Sequence, residues 1–314
     1  MIHWGINALN HGSSLAVFKE GKLVSQTTSN YDELDSSQTV PALNYGSPDR
    51  IFWYERPWIK KARQIYAGQY RTALDMSVLP KRHLTQFKYA NVSYTPHHGS
   101  HAAAGYYTSP FNHCAIIVLD AIGEFECATI WQGLHGEMKK VWSRSYPHSL
   151  GLFYSAFTKL VGLTPIKDEH LLQQMAEQGD PDRYYQVVRN YFGHWTLDVK
   201  YNFHRGVLNW PCEITNLQDQ CDIAAAVQKV FELQIDNVIF EAKKLIATDC
   251  LVYMGGCAMN SKANKLMVEP RYKHIWSLPN PGDPSSSIGA VLYHTKQRVW
   301  DYRWDSVKHI AINV

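Results

Sequence analysis

The first residues of the chain carry a pattern of apolar and turn-forming positions that is typical of short β-strands. Apolar stretches at residues 2–7 and 14–18 precede turn residues at 20–22, and a third stretch follows at residues 23–27. Apolar segments of this length, separated by turn residues, predict antiparallel strands joined by hairpins. We therefore expect the chain to begin with a β-meander.

The same kind of pattern returns later in the chain. Residues 115–119 form a continuous apolar run with the length of a buried strand, and residues 127–131 and 138–142 follow as a hairpin-like pair. A strand, a hairpin and a helix would then occur in this order twice, without visible sequence identity between the two copies. Such a repeat predicts two similar α/β lobes.

The last third of the chain predicts helices around one more strand. Apolar residues recur at helical spacing from Asp222, which is placed to cap a long core helix, and a short strand follows at residues 251–254. A final helix is expected to begin near Ser285.

The length of 314 residues suits one large domain or two lobes of ordinary size. We place the first lobe at residues 1–112, completed by a C-terminal helix over residues 285–314, and the second lobe at residues 113–284. No low-complexity segment or flexible linker is evident in the sequence.

The composition changes this picture little. Hydrophobic residues make up 45% of the chain, as in soluble globular proteins, and 31 Lys and Arg nearly balance 28 Asp and Glu, so no global field predicts nucleic acid or an anionic membrane as partner. No apolar run reaches the roughly 18 to 20 residues of a membrane helix, and no signal peptide is apparent. We expect a cytoplasmic protein with no membrane partner, whose six cysteines are reduced.

Candidate chemistry begins at a histidine pair. Pro96 and the alanines at residues 102–104 favour a helix that starts here, which would place His97 and His101 one turn apart on one face. Two imidazoles at this spacing are able to bind one metal ion. The pair alone is weak evidence, because histidines at a helix start also make ordinary hydrogen bonds.

Two carboxylates strengthen the metal hypothesis. Asp120 follows the apolar run of residues 115–119, and Asp283 lies in the loop ahead of the final helix. Strand ends and helix-leading loops converge on the crevice between lobes, where mixed His and Asp ligands suit Fe, Mn or Zn. The alternatives are a turn residue at Asp120 and an N-cap at Asp283.

A turn with paired glycines, Gly255 and Gly256, precedes a predicted helix through Asn260. Glycines let a backbone approach a nucleotide closely, and a helix N-terminus offers amide donors to phosphate. The segment matches neither a Walker loop nor GxGxxG, and an ordinary structural turn is an equally open interpretation.

Basic and aromatic residues interleave over residues 52–63. Such a segment is found on surfaces that stack nucleic-acid bases. An amphipathic helix with its aromatic face in the core is the favoured alternative.

Taken in order, the motifs resemble the O-carbamoyltransferases of the nodulation-factor and aminoglycoside-antibiotic type, which are related to the tRNA threonylcarbamoyl-transferring subunit. The matching stretches are residues 5–8 with His11 and 13–14, residues 54–57, 97–103, 118–120, 147–157 and 222–228, residues 255–256 with Asn260 and Asn264, and residues 281–283 with 288–290. Eight stretches in the family's order make a chance match improbable.

This resemblance implies an actin-like ATPase fold (ASKHA), in which two RNase H-like α/β lobes enclose a nucleotide and metal cleft. It implies that carbamoyl-adenylate, formed from carbamoyl phosphate and ATP, donates a carbamoyl group to a hydroxyl of a small molecule or of a hydroxymethylated nucleobase. It places the metal ligands at His97, His101, Asp120 and Asp283, and the nucleotide contacts at Gly151, Ser155, Gly255, Gly256 and Asn260.

The resemblance also places His11 near the acceptor hydroxyl, where an imidazole is able to take the proton of the attacking group. The alternative for His11 is a turn residue of the first hairpin. The chain departs from the family here, because Gly12 follows His11 in place of the usual aspartate, and again where Leu171 and Gln174 replace a lysine and a glycine. These departures concern the acceptor pocket more than the metal site.

Family members usually continue into a YrdC-like domain that makes carbamoyl-adenylate, whereas this sequence stops at Val314. A separate YrdC-like protein would then supply the adenylate, or the lobe pair would make it unaided. A non-catalytic or partner-dependent nucleotide-binding subunit is the main alternative function. A sugar kinase of the same fold ranks last, because it leaves the histidine pair without a task.

Overall fold

The computed structural model describes residues 1–87 and 90–299. Two five-stranded sheets, with helices packed between and around them, make up this part of the chain. The helix predicted over residues 285–314 ends at Thr295, because Lys296 adopts a left-handed conformation and residues 296–299 are not helical; residues 300–314 lie outside the described residues.

The first sheet contains the strands β1 (Ile2–Asn10), β2 (Gly12–Lys19), β3 (Lys22–Ser29), β4 (Arg50–Trp53) and β5 (Asn91–Tyr94). Their order across the sheet is β3-β2-β1-β4-β5. Strands β1, β2 and β3 pair antiparallel, whereas β4 runs parallel to β1 and β5 parallel to β4. The antiparallel part confirms the predicted β-meander.

The second sheet contains β6 (His113–Gly123), β7 (Glu126–Leu134), β8 (Glu137–Ser145), β9 (Cys250–Met254) and β10 (His274–Trp276). Their order is β10-β9-β6-β7-β8, with β6, β7 and β8 antiparallel and β9 parallel to β6. Read from β8 to β10, this is the arrangement of the first sheet. The predicted repeat of one α/β unit is therefore confirmed.

The described helices are α1 (Ser36–Leu43), α2 (Pro57–Tyr66), α3 (Tyr70–Leu74), α4 (Pro80–His83), α5 (His97–Thr108), α6 (Leu150–Leu160), α7 (Glu169–Met175), α8 (Tyr185–Arg189), α9 (Leu217–Leu245), α10 (Ser261–Ala263) and α11 (Ser286–Thr295). Single 3₁₀ turns cover Thr85–Phe87, Phe203–Arg205, Gly256–Met259 and Asp283–Ser285, and a π-helical turn covers Asn264–Val268.

The long helix α9 has a different N-cap from the one that the sequence predicts. The side chain of Asn216 caps it by accepting a hydrogen bond from the backbone N–H of Asp219 (2.9 Å). Asp222 lies inside the helix, where its carboxylate accepts hydrogen bonds from the backbone N–H of Asp180 and from Arg183. The prediction of a cap at Asp222 is wrong, because this carboxylate anchors the preceding loop instead.

Helices α5 and α11 lie against each other between the two sheets. Helix α11 packs on β1, β2 and β4, whereas α5 packs on β6, β7 and β9. The two helices approach so closely at Gly289 that any Cβ there would overlap the carbonyl oxygen of Ser100. This packing places the N-terminal turns of both helices side by side, and the lobe boundaries proposed from the sequence stay predictions.

The predictions made from composition concern membrane helices and cysteines. No helix within residues 1–87 and 90–299 combines the length and the apolar character needed to cross a membrane. All six cysteines are free, and four of them are buried.

Candidate metal centre and nucleotide turn

The predicted histidine pair opens helix α5. Both side chains are buried, and their Nε2 atoms lie 3.2 Å apart on one helix face. Between them in sequence, His98 turns away, with its Nδ1 atom 3.0 Å from the Thr129 hydroxyl. The helix therefore presents His97 and His101, and not His98, to a common point.

The two predicted carboxylates reach the same point from different elements. Asp120 lies in β6 where the pairing with β7 becomes irregular, and its Oδ2 atom is 3.1 Å from Nε2 of His97 and 3.7 Å from Nε2 of His101. Asp283 lies in the 3₁₀ turn before α11, with Oδ1 3.3 Å from both Nε2 atoms. Helix α11 begins without a side-chain cap, so the alternative of an N-cap at Asp283 is not observed.

These four side chains fit a metal ion. One ligand atom from each lies within 4.8 Å of all the others. Metal–ligand bonds of about 2.0–2.2 Å separate neighbouring ligand atoms of one ion by about 3.0–3.5 Å, close to the distances observed here. Two imidazole nitrogens with two carboxylate oxygens form a donor set that Fe, Mn and Zn all accept.

The electrostatics of this four-residue cluster are those of a charged site. Burial alone would lower the pKa of His97, but the carboxylates of Asp283 and Asp120 outweigh it and hold that pKa well above its usual range. The pKa of His101 is raised by the same carboxylates against the effect of burial. Burial alone would raise the pKa of the Asp120 carboxyl. Hydrogen bonds from the two imidazoles outweigh burial and hold that pKa well below its usual range. A metal ion that binds here displaces protons from the histidines.

Two polar groups lie next to the histidines of the cluster, although Nδ1 of His97 makes no hydrogen bond of good geometry among the described residues. Glu55 is buried, with Oε2 3.9 Å from Nδ1 of His97 and Oε1 2.8 Å from Lys60 Nζ. The hydroxyl of Ser286 lies 3.4 Å from Nδ1 of His101. Carboxylate and hydroxyl partners of this kind fix the ring orientation of histidine ligands.

The sequence alone assigns no role to Glu55 or Ser286 at the metal site. The available signal was the position of Glu55, an acidic residue directly after the apolar segment at residues 51–54. A carboxylate at that place is exposed in most proteins unless it has a partner, so its burial is informative only in the structure.

The paired glycines lie beside the cluster. Gly255 has φ of 94°, and a Cβ there would overlap the carbonyl oxygen of Leu119 in the adjacent strand β6, just after the pairing of β6 with β9 ends. The backbone N–H of Gly256 lies 3.4 Å from Oδ1 of Asp120. At the start of α6, Gly151 packs against the backbone of Ala121, within reach of the same strand end. The structure thus brings the three predicted glycines to Asp120.

The other two predicted nucleotide contacts have protein partners. Ser155 donates a hydrogen bond to Oε1 of Glu169 (2.7 Å). The buried amide of Asn260 exchanges two hydrogen bonds with Gln228 (2.9 and 3.0 Å) and also caps α10. These side chains contribute to the packing of α6, α9 and α10 in this state.

His11 lies in the tight turn between β1 and β2 and is exposed. Among the described residues its side chain makes no hydrogen bond, so the structure does not bring it into the cluster. Its neighbour Asn10 does touch the cluster, donating from Nδ2 to Oδ2 of Asp283 (3.3 Å). The predicted base is therefore one residue away from a side chain that contacts a predicted metal ligand.

The basic and aromatic segment does not form a stacking surface. The aromatic residues at 52–54 are buried in and directly after β4, and of the remaining positions Trp58 alone is an exposed aromatic, at 60%. Lys61 and Arg63 of α2 turn inward and donate hydrogen bonds to backbone carbonyl groups. The favoured alternative is an amphipathic helix with its aromatic face in the core. The aromatic side chains at 52–54 are indeed in the core, but they belong to strand β4 and the residue after it, and not to a helix.

A protein family described as Carbamoyltransferase N-terminus matches residues 57–292. The chain belongs to this carbamoyltransferase family. The match includes all four residues of the cluster and the glycine turn, whereas His11 precedes it. The resemblance inferred from the motifs is thereby confirmed.

Curated relatives of this chain are longer proteins. An uncharacterized protein of Synechocystis sp. is 27% identical over 346 residues, which cover 92% of this chain and 56% of that protein. The nodulation protein NolO of Bradyrhizobium diazoefficiens is 26% identical over 208 residues, which cover 62% of this chain and 37% of that protein. The chain thus spans between about a third and just over a half of the length of these relatives.

Among solved structures, a ROK hexokinase from Thermus thermophilus superposes with a TM-score of 0.52 at 12% identity, covering 93% of this chain and 97% of that one. Identity this low shows the fold alone. The chain has the predicted actin-like ATPase (ASKHA) fold, built from two α/β sheets of the same order.

Proposed function

We propose that the chain transfers a carbamoyl group from carbamoyl-adenylate to a hydroxyl group, at a site that holds one divalent ion of Fe, Mn or Zn. The observation that carries this proposal is the convergence of His97, His101, Asp120 and Asp283 within a carbamoyltransferase fold. A bound ion supplies positive charge that neutralises phosphoryl oxygens and favours departure of AMP.

The residues around the cluster have separate tasks in this proposal. The glycines at 255 and 256 have no side chains and let the phosphate approach the backbone beside Asp120, and the absence of a side chain at Gly151 lets the nucleotide approach β6 near the same residue. His11, exposed in its turn, takes the proton from an acceptor hydroxyl that arrives from solvent. The carbamoyl C–O bond to the acceptor forms as the bond to AMP breaks.

The acceptor in this proposal is the hydroxyl of a small molecule. A hydroxymethylated nucleobase is the weaker candidate, because the segment that suggested base stacking has its aromatic residues buried at 52–54. ATP and carbamoyl phosphate are the ultimate sources of the donor. A separate YrdC-like protein is the proposed partner that makes the adenylate.

The test is incubation of the metal-loaded chain with preformed, labelled carbamoyl-adenylate and a panel of alcohols. Release of AMP together with a labelled carbamate ester is the expected result. The proposal is contradicted when neither AMP nor ester forms with any alcohol and the addition of a YrdC-like protein does not restore them. A partner-dependent subunit gives both products only after the YrdC-like protein is added.

A further inference from the structure

One buried side chain near the cluster has no partner for either of its polar atoms. Asn7 lies in β1 with 1% of its surface exposed, and neither Oδ1 nor Nδ2 has a hydrogen-bond partner among the described residues. Within that part of the chain no other buried side-chain amide lacks both. Burial of an unpaired amide costs free energy that a folded protein normally avoids. The side chain therefore points to a ligand that pairs with it.

The strand register places Asn7 beside the metal centre. Asn7 is directly opposite Ser14 of β2, and the Ser14 hydroxyl donates to the carbonyl oxygen of Pro284 (2.8 Å), next to the ligand Asp283. Residues opposite each other in a sheet share a face, so Asn7 lies on the face that meets the Asp283 loop. Asn10, further along β1, donates to Asp283 itself.

A second unpartnered group lies next to this amide. Tyr54 follows the paired residues Ile6 and Trp53, and its backbone N–H donates to the Ile6 carbonyl (3.0 Å), so it lies beside Asn7. The Tyr54 hydroxyl is fully buried and makes no hydrogen bond of good geometry in the described part of the chain, although the Glu55 carboxylate lies near it. The ring centroids of Tyr54 and His97 are 5.2 Å apart.

Exposure decreases along the polar residues of β1 toward this amide. His11 is exposed in the turn, Asn10 is half-buried, and Asn7 is buried. These three polar residues thus mark the chain from the surface turn inward to the amide, with a register shift of β1 between Asn7 and Asn10. The inner end of this stretch meets the face occupied by the metal ligands.

We propose that Asn7 and Tyr54 form the subsite that binds the carbamoyl group beside the metal centre, an inference that rests on the proposed function. A carbamoyl group has one carbonyl acceptor and one NH₂ donor in a plane, and a side-chain amide offers the complementary pair. Nδ2 of Asn7 donates to the carbamoyl oxygen, Oδ1 accepts from the carbamoyl NH₂, and the Tyr54 hydroxyl donates to the same oxygen. An acetyl group has no N–H, so it leaves Oδ1 unpaired and is rejected.

The experiment compares equilibrium binding of carbamoyl-adenylate and acetyl-adenylate to the metal-loaded chain without acceptor. The wild type is expected to bind carbamoyl-adenylate about tenfold more tightly, and Asn7→Leu is expected to remove this preference while AMP binding stays unchanged. Tyr54→Phe weakens both adenylates to the same extent, because its hydroxyl contacts the oxygen that they share. An unchanged preference in Asn7→Leu overturns the subsite alone. Failure of the wild type to bind either adenylate overturns the proposed function together with the subsite.

A stability measurement separates ligand binding from a structural role. In the ligand-free protein, Asn7→Leu is expected to raise Tm, because it removes a buried amide without a partner. The matched control is Gln234→Leu, since Gln234 is equally buried but accepts a hydrogen bond from the backbone N–H of Leu197 (3.3 Å). This control is expected to lower Tm and to leave the preference for carbamoyl unchanged. A lower Tm in Asn7→Leu with an intact preference overturns the proposal.

Discussion

The two sheets of the molecule have the same strand order, yet the carboxyl ends of their strands carry different groups. At the end of β1, the first sheet presents the side chains of Asn7, Asn10 and His11. At the ends of β6 and β9, the second sheet presents the backbone of the Gly255–Gly256 turn beside Asp120. Side chains distinguish hydrogen-bonding patterns, whereas a turn without side chains lets a ligand approach the backbone closely.

This difference teaches how a repeated fold acquires a directional reaction. In the proposed function, the second sheet faces the phosphate side of the donor, and the first sheet faces the carbamoyl group and the acceptor. The four-residue cluster joins the two sheets. Asp120 belongs to the second sheet, and Asp283 belongs to the turn that leads into α11, which packs on the first sheet. The histidines come from α5, which lies between.

The largest effect is expected from removal of a metal ligand. His101→Ala takes one of four ligand atoms away, so it should abolish stoichiometric metal binding and carbamoyl transfer together. Elemental analysis of the purified protein measures the first. The matched control is His98→Asn on the same helix, which should keep the metal because His98 faces Thr129. Retained metal in His101→Ala would refute the ligand assignment.

The next effect tests the first sheet. His11→Asn removes the proposed base and should lower the rate of transfer by about 10²- to 10⁴-fold. Metal content and adenylate binding should not change, because His11 makes no hydrogen bond within the described residues. A variant with a wild-type rate would show that His11 is only a turn residue, and the comparison between the sheets would then rest on Asn7 and Asn10.

A smaller effect tests the second sheet. Gly255→Ala combines an unfavourable positive φ with overlap of the Leu119 carbonyl, and should lower the free energy of unfolding by about 2–4 kcal/mol. Gly136 also has positive φ, at 83°, but a Cβ there would meet no atom of the described residues within 4 Å, so Gly136→Ala should cost only about 1 kcal/mol. Denaturant titration measures both. Equal losses would mean that the close approach at Gly255 has no energetic weight.

The smallest effect concerns the group that orients His97. Glu55→Gln keeps the size of the side chain but removes its charge, and should weaken metal binding by about 10- to 100-fold. Equilibrium dialysis gives the metal Kd. Glu126→Gln is the control, because Glu126 pairs with Lys140 on strand β8, away from the cluster. If both variants bind metal as the wild type does, Glu55 has no positioning role.

Much of the site was predictable because its signals are local. The spacing of His97 and His101 fixes a shared helix face, and Asp120 directly follows the apolar core of a strand. Likewise, the repeated strand and hairpin pattern predicts the two sheets, since alternation and turn residues are properties of short segments.

Other features depend on packing between distant segments. The unpaired state of Asn7 and the burial of Glu55 exist only once β1, β4 and α5 have come together. The aromatic residues at 52–54 misled the sequence analysis because the segment crosses from β4 into α2, so one composition covers two elements. The N-cap of α9 was misplaced because the carboxylate of Asp222 bonds to residues 180 and 183.

The most direct test of the account is an anomalous difference map from crystals of the chain grown with whichever of Fe, Mn and Zn it binds most tightly. The account predicts one strong peak between His97, His101, Asp120 and Asp283, in contact with Nε2 of both histidines and with one oxygen of each carboxylate. A peak at another position, or no peak from protein that binds none of these metals in solution, would contradict it.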